Sequence, residues 1–113
     1  MKQGEVWLIS LDPTIGSEIK KTRPAIIIND YALGKLPLRI IVPLTDWKAH
    51  YNTAIWMVNI KPDPNNNLSK SSAADCFQIR SVSEQRFVKR LGRTNSLHLN
   101  EIQLAVASVI SLS

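Results

Sequence analysis

Lys20-Lys21-Thr22-Arg23-Pro24-Ala25-Ile26-Ile27-Ile28 is the stretch on which the reading of this chain turns. Three cations sit in a polar loop, a proline stiffens the backbone, and an apolar run rich in β-branched residues follows. Such a run between polar neighbours predicts a buried strand over 24–28. Pro24 suits the first position of that strand, where no ladder donor is needed. It also drives Arg23 out of the helical region into an extended conformation. The guanidinium is thereby fixed at the rim of a sheet, and a planar, permanently charged fork suits phosphate.

Working outward, residues 5–11 predict a strand before this one, stopped by Asp12-Pro13. Residues 14–22 form a polar loop with Gly16 as its flexible point. After Asn29-Asp30, Gly34 and Pro37 mark a turn. Residues 38–44 predict a third strand, with Pro43 arguing for an edge, a bulge or the strand's end. Thr45-Asp46 then forms a loop or cap. Further strands are expected over 54–60, 73–82 and 87–91, with a turn-rich loop at 61–70 and a short helical turn from Ser83. In the C-terminal segment, Asn100 with Gln103 has the spacing of a capping box, and Leu99 with Leu104 that of a hydrophobic staple. Ile102, Ala105, Val106, Val109 and Ile110 then fall on one helical stripe. The expected fold is mainly β: a small, curled, barrel-like sheet of five to six short strands with a C-terminal amphipathic helix.

The chain has 113 residues, 44% of them hydrophobic and 20% charged. That suits one globular domain over residues 1–113, given roughly 100–200 residues per domain. No apolar run approaches the roughly 20 residues that span a bilayer, and the N-terminus enters a strand pattern without a signal-peptide core. A single cysteine fits a reducing cytoplasm. The net charge of +5 leans toward a polyanionic partner. Its cations gather in two groups, Lys20, Lys21 and Arg23, and then Arg80, Arg86, Lys89, Arg90 and Arg93.

Metal ligation finds no support in the spacing of His50, His98 and Cys76. Cys76 has no evident activating base and reads as a small core residue. No glycine-rich phosphate loop joins a strand to a helix. Of the tryptophans, Trp7 and Trp56 read as core residues and Trp47 as the better surface candidate for base stacking.

Gly4-Glu5-Val6-Trp7, Leu11-Asp12-Pro13, Gly16-Ser17-Glu18, Thr22-Arg23-Pro24, Pro43-Leu44-Thr45 and Gln78-Ile79-Arg80-Ser81 follow in this order through nearly the whole chain. In this order and spacing the chain resembles the MazF/PemK/Kid family of toxin endoribonucleases. The resemblance implies an SH3-like small barrel with a C-terminal helix, assembled as a homodimer. It implies metal-independent cleavage of single-stranded RNA without a cofactor. A cognate antitoxin whose acidic tail occupies the RNA groove would be the protein partner. Arg23 and Thr45 match the family's catalytic positions. Gly16, Ser17 and Glu18 match its substrate-holding loop, and Gln78 a glutamine near the groove. Lys20, Lys21 and Arg80 would guide the RNA backbone. Glu18 is the nearby motif carboxylate able to take a proton, or else to pair with Arg23 or a lysine.

The family often carries an acid immediately before that glutamine, where this chain has Phe77; its own acid is Asp75. Strand alternation puts Asp75 on the face of Phe77 and Ile79, opposite Cys76, Gln78 and Arg80. Asp75 is then either a buried, paired carboxylate or a residue displaced by a bulge. Two other functions fit the same fold: a member that binds RNA or antitoxin without cutting, and a gyrase-poisoning toxin. The latter relies on a tryptophan-containing C-terminal tripeptide, whereas this chain reads Ile110-Ser111-Leu112-Ser113.

Overall fold

A computed structural model describes residues 1–31 and 35–112. The elements in chain order are β1 (Glu5–Ser10), β2 (Thr22–Ile27), β3 (Leu38–Asp46), β4 (Met57–Ile60), β5 (Ser72–Asp75), β6 (Arg80–Ser83), β7 (Phe87–Arg93) and α1 (Ser96–Val109). Short 3₁₀ turns cover Ala49–Thr53, Cys76–Gln78 and Glu84–Arg86. The expected turn at Pro37 precedes β3, while Gly34 lies outside the described residues.

The strands form one curled antiparallel sheet in the order β4-β5-β3-β2-β1-β7, with β6 pairing β3. Among the described residues, β4 and β7 do not pair, so the sheet curls without closing. The strand order places β2 between β1 and β3, which explains its unbroken apolar run. Ile26 joins one core cluster with Val6, Val42, Leu44 and the helix residues Ile102 and Ala105. Ala25 and Ile27 point the other way, into a second cluster with Ile9, Leu11, Ile41 and Val82. A strand buried on both faces needs no polar alternation. Full burial of each of the isoleucines Ile26 and Ile27 is worth about 1.5–3 kcal/mol.

Both prolines sit where the ladder spares them. β2 begins at Thr22, so Pro24 is its third residue rather than the expected first, and it stands opposite Leu8 of β1. Its pairing with β3 begins only at Ala25, opposite Pro43. β3 is an interior strand rather than an edge. On its other side residues 38–41 pair with β6 and residues 44–46 with β5. Pro43 falls in the gap between those two partners, so its missing N–H costs no ladder bond there.

The single strand expected over 73–82 is two strands. The Cys76–Gln78 turn divides them, and the described residues hold seven strands instead of the expected five to six. The turn is capped by Asp75, whose Oδ1 accepts the Phe77 N–H at 3.1 Å. The alternation argument for Asp75 therefore fails: a 3₁₀ turn does not keep the two-residue period.

The helix also starts earlier than the capping-box spacing suggests. Asn95 is its cap, accepting the His98 N–H at 2.7 Å, and Asn100 lies inside the helix. Leu104, expected in the staple, is 61% exposed. Of the predicted stripe, Ile102 and Ala105 are buried, Val106 packs against the core, and Ile110 is exposed at the C-cap. The short helical turn expected from Ser83 is present, with Ser83 Oγ accepting the Gln85 N–H.

Candidate RNA-cleaving site

The sequence-predicted residues gather around two clefts on either side of the β3 segment 43–45. The first, of about 360 Å³, is lined by Thr22, Arg23 and Pro24 of β2 and by Leu44, Thr45 and Asp46 of β3. The β2–β3 pairing ends at Ala25 opposite Pro43, two residues short of Arg23 on one strand and of Thr45 on the other. The guanidinium and the hydroxyl thus reach one cleft from neighbouring strands. Arg23 is half-buried, and its Nε donates a long 3.4 Å hydrogen bond to the Lys20 carbonyl. No carboxylate pairs with it among the described residues.

The second cleft, of about 480 Å³, is lined by Ser17, Glu18, Ile19, Pro43, Phe77, Gln78, Ile79 and Arg80. Here Gln78 is fully engaged. Its Oε1 accepts the Ile19 N–H at 2.6 Å, and its Nε2 donates to the Ser17 carbonyl and to Asp75 Oδ2, each at 3.2 Å. Gln78 therefore clamps the loop that carries Ser17 and Glu18. Asp75 orients the clamp from beneath, since its carboxylate can only accept. Asp75 is buried, and desolvation pushes its carboxyl above the usual carboxylate value; hydrogen bonds from Phe77 and Gln78 offset that only in part.

Glu18 is exposed and makes neither of the expected cationic pairings. Its Oε1 accepts the Ile15 N–H at 2.6 Å, closing the turn around Gly16. Gly16 has φ +59°, which suits glycine, and a β-carbon added there would meet nothing within 4 Å. Lys20 and Lys21 are exposed, and the Lys21 carbonyl accepts the Leu11 N–H at 2.9 Å. Arg80 is half-buried and donates from Nη1 to the Leu11 carbonyl at 3.3 Å. Arg86 donates from Nη1 to the carbonyls of Ser10 and Asp12 at 3.1 and 2.6 Å. Two of the clustered arginines thus tether the start of the β1–β2 loop.

Sequence reasoning missed the far wall of the first cleft. Asn67, Ser69, Lys70 and Ser72 line it, and Lys70 pairs with Asp46 at 3.0 Å. Both partners are more than half exposed, so the pair holds weakly. The wall itself is firm. Asn66 is fully buried; its Oδ1 accepts the N–H groups of Asp63 and Leu68, and its Nδ2 donates to the Lys61 carbonyl. The Asp63-Pro64-Asn65-Asn66 run was the available signal, because such side chains cap their own turns.

His50 packs on Tyr51, whereas His98 lies on α1 beside Glu101 at 2.9 Å. Among the described residues, no group of three or more His, Cys, Asp or Glu could hold a metal ion. Cys76 is buried in the core, and burial pushes its thiol up to about 12, so it is no nucleophile. The tryptophans exchange roles. Trp56 is 40% exposed and meets Phe77 edge to face at 6.2 Å. Trp47 is half-buried against Tyr51, and Trp7 packs on Phe87 while donating to Glu5.

Residues 2–110 match the family model described as PemK-like, MazF-like toxin of type II toxin-antitoxin system. The endoribonuclease PemK of Escherichia coli is 30% identical over 113 residues, covering 98% of this chain and 83% of that protein. Endoribonuclease MazF9 of Mycobacterium tuberculosis is 26% identical, covering 94% and 92%. Among solved structures, MazF from Deinococcus radiodurans superposes with a TM-score of 0.80 at 20% identity, over 98% of this chain and 96% of that one. An endoribonuclease solved in complex with its cognate antitoxin from a mycobacterial species gives 0.77 at 18% identity, over 100% and 97%.

Proposed function

The chain belongs to the PemK-like, MazF-like toxin family of type II toxin–antitoxin systems, and from that premise we propose that it is an endoribonuclease cleaving single-stranded RNA at the cleft between Arg23 and Thr45. The carrying observation is that these two residues, twenty-two apart in sequence, line one cleft from neighbouring strands. RNA supplies its own nucleophile. The 2′-oxygen bonds to phosphorus, the bond from phosphorus to the 5′-oxygen breaks, and the 2′-proton leaves as the 5′-oxygen gains one. The products are a 2′,3′-cyclic phosphate and a 5′-hydroxyl. No metal is needed, because the chain's own charge can stabilise the transition state.

Arg23 has the fixed charge and directed donors for the phosphorane-like transition state. Its guanidinium is not spent on a carboxylate, which keeps it available. A guanidinium has no acceptor site to serve as the base. Thr45 orients the phosphate or the attacking hydroxyl. Glu18 is the proton-accepting candidate in the adjoining cleft, once substrate displaces its bond to the Ile15 N–H. Gly16 and Ser17 hold substrate through the loop that Gln78 clamps, and Lys20, Lys21 and Arg80 steer the backbone. A homodimer neutralised by a cognate antitoxin, acting in the cytoplasm, completes the reading. Antitoxin-bound relatives of this fold support the partner.

Arg23→Ala and Thr45→Ala should each abolish cleavage of a long RNA, with unchanged circular dichroism. Products of the wild type should accept phosphate from polynucleotide kinase without prior phosphatase, and a chelator should leave the rate unchanged. Wild-type cleavage by purified Arg23→Ala would remove that residue from the mechanism. Binding of RNA without cutting by the wild type would favour the non-cleaving alternative.

A further inference from the structure

Phe77 is 66% exposed although it occupies a rigid place in the chain. Its own N–H is held by Asp75, and the preceding residue, Cys76, is fully buried and donates its N–H to the Trp56 carbonyl at 2.9 Å. The backbones of Phe77 and Trp56 are thereby tied together. Their rings meet at 6.2 Å with planes 69° apart, and Trp56 is itself 40% exposed. An edge-to-face pair leaves ring faces open to solvent. The apolar surface does not stand alone: Phe77 shares its cleft with Arg80, and that cleft adjoins the Arg23–Thr45 cleft across β3. An aromatic face sharing a cleft with Arg80, on a chain of net charge +5, complements a single strand, whose bases offer π-faces and whose backbone offers phosphates.

We propose that Phe77, braced by Trp56, is a stacking platform for one unpaired nucleobase of the RNA, flanking the phosphate that is cut. The proposal rests on the endoribonuclease reading above. Phe77 supplies the face, Trp56 holds the ring's inclination, and Arg80 attends the neighbouring phosphate. The platform sets where along the cleft the strand lies, and so which bond reaches Arg23 and Thr45.

The test begins by mapping wild-type cuts in a long RNA. Oligonucleotides spanning one strong site are then made with each flanking nucleotide in turn replaced by an abasic one. One abasic position should lower wild-type kcat/KM about ten-fold, the scale of a single base–aromatic stack. Phe77→Ala should lose about as much on the intact oligonucleotide and become indifferent to that position. Phe77→Tyr should keep wild-type rates, while Phe77→Leu, apolar but without a π-face, should behave as alanine does.

Equal abasic sensitivity of wild type and Phe77→Ala at every position overturns the proposal, and so do wild-type rates for Phe77→Leu. Wild-type RNA kinetics for Phe77→Ala would overturn it too. Should the alanine variant not fold, the leucine–tyrosine comparison decides alone. A wild type that cuts no RNA fells the underlying reading and the platform with it, an outcome distinct from failure of Phe77 alone.

Discussion

A methyl group added at Gly92 would stand 2.0 Å from the carbonyl oxygen of Asn65 and 3.0 Å from its carbon. Both atoms are backbone, and that same oxygen accepts the Arg93 N–H at 2.9 Å, so the loop cannot yield without losing the bond. Gly92→Ala should therefore cost about 3 kcal/mol, at the upper end for overpacking. The thermal midpoint by circular dichroism should fall by roughly 10 °C or more; an unmoved midpoint would mean that the loop shifts freely. Nothing local in the sequence marks this need, because the obstacle lies twenty-seven residues away. Asp75 makes a second residue-scale case. Its folded-state carboxyl titrates above the ordinary value of 3.8, so the folded chain keeps that proton to a higher pH than the unfolded chain does. The resulting stability is complete below the unfolded value and is lost as pH rises through the folded one. Asp75→Asn does not titrate. Urea unfolding at a series of pH values should show the variant gaining on wild type from about pH 3.8 upward, then holding a constant difference. A difference independent of pH would show that Asp75 does not titrate differently on folding.

Helix α1 and the divided strand show what happens at the scale of elements. Two asparagines compete for the cap, and the glutamine three residues after Asn100 favours the wrong one when only spacing is read. The outcome is decided by packing: the Thr94 N–H donates to the Gly4 carbonyl at 2.8 Å, which anchors the chain directly before Asn95. Asn95→Ala should destabilise the protein by about 1 kcal/mol, the usual worth of an N-cap side chain. Asn100→Ala, at an exposed position inside the helix, should stay within about 0.5 kcal/mol. Equal losses in chemical denaturation would count against the observed cap. The apolar run at residues 25–28 was legible because burial on both faces imposes composition without register. The break at Cys76–Gln78 was not legible, because the apolar and polar residues of 73–82 satisfy strand alternation well enough on paper. Pro43 gave a true warning of irregularity, but whether it marked an edge or a change of partner depended on β5 and β6, more than twenty-five residues further on.

Over the whole molecule, charge is the property that reaches beyond direct neighbours. Lys20 and Lys21 are exposed beside the loop that Gln78 clamps, while Arg80 is partly committed to the Leu11 carbonyl. If these three meet phosphate, binding of single-stranded RNA should weaken steeply with salt. Lys20→Gln combined with Lys21→Gln should flatten the logarithmic slope by about 1.4, near 0.7 for each phosphate that is no longer neutralised. A slope unchanged in the double variant, measured by fluorescence anisotropy on Arg23→Ala to prevent cleavage, would place the lysines outside the path. The sequence by itself determined the buried strand after Pro24, the mainly β class with its terminal helix, and the order of motifs that carries the family. Those follow from composition, period and residue type, which act locally or accumulate along the chain. It took the tertiary structure to bring Arg23 and Thr45 to one cleft, to set Gln78 on the Ser17–Ile19 backbone, to make Asp75 the cap of a turn, and to leave Phe77 and Trp56 exposed together. Each of these joins segments remote in sequence or turns on how the chain bends between them. Their juxtaposition is set by strand register and by the curl of the sheet, which no local pattern encodes.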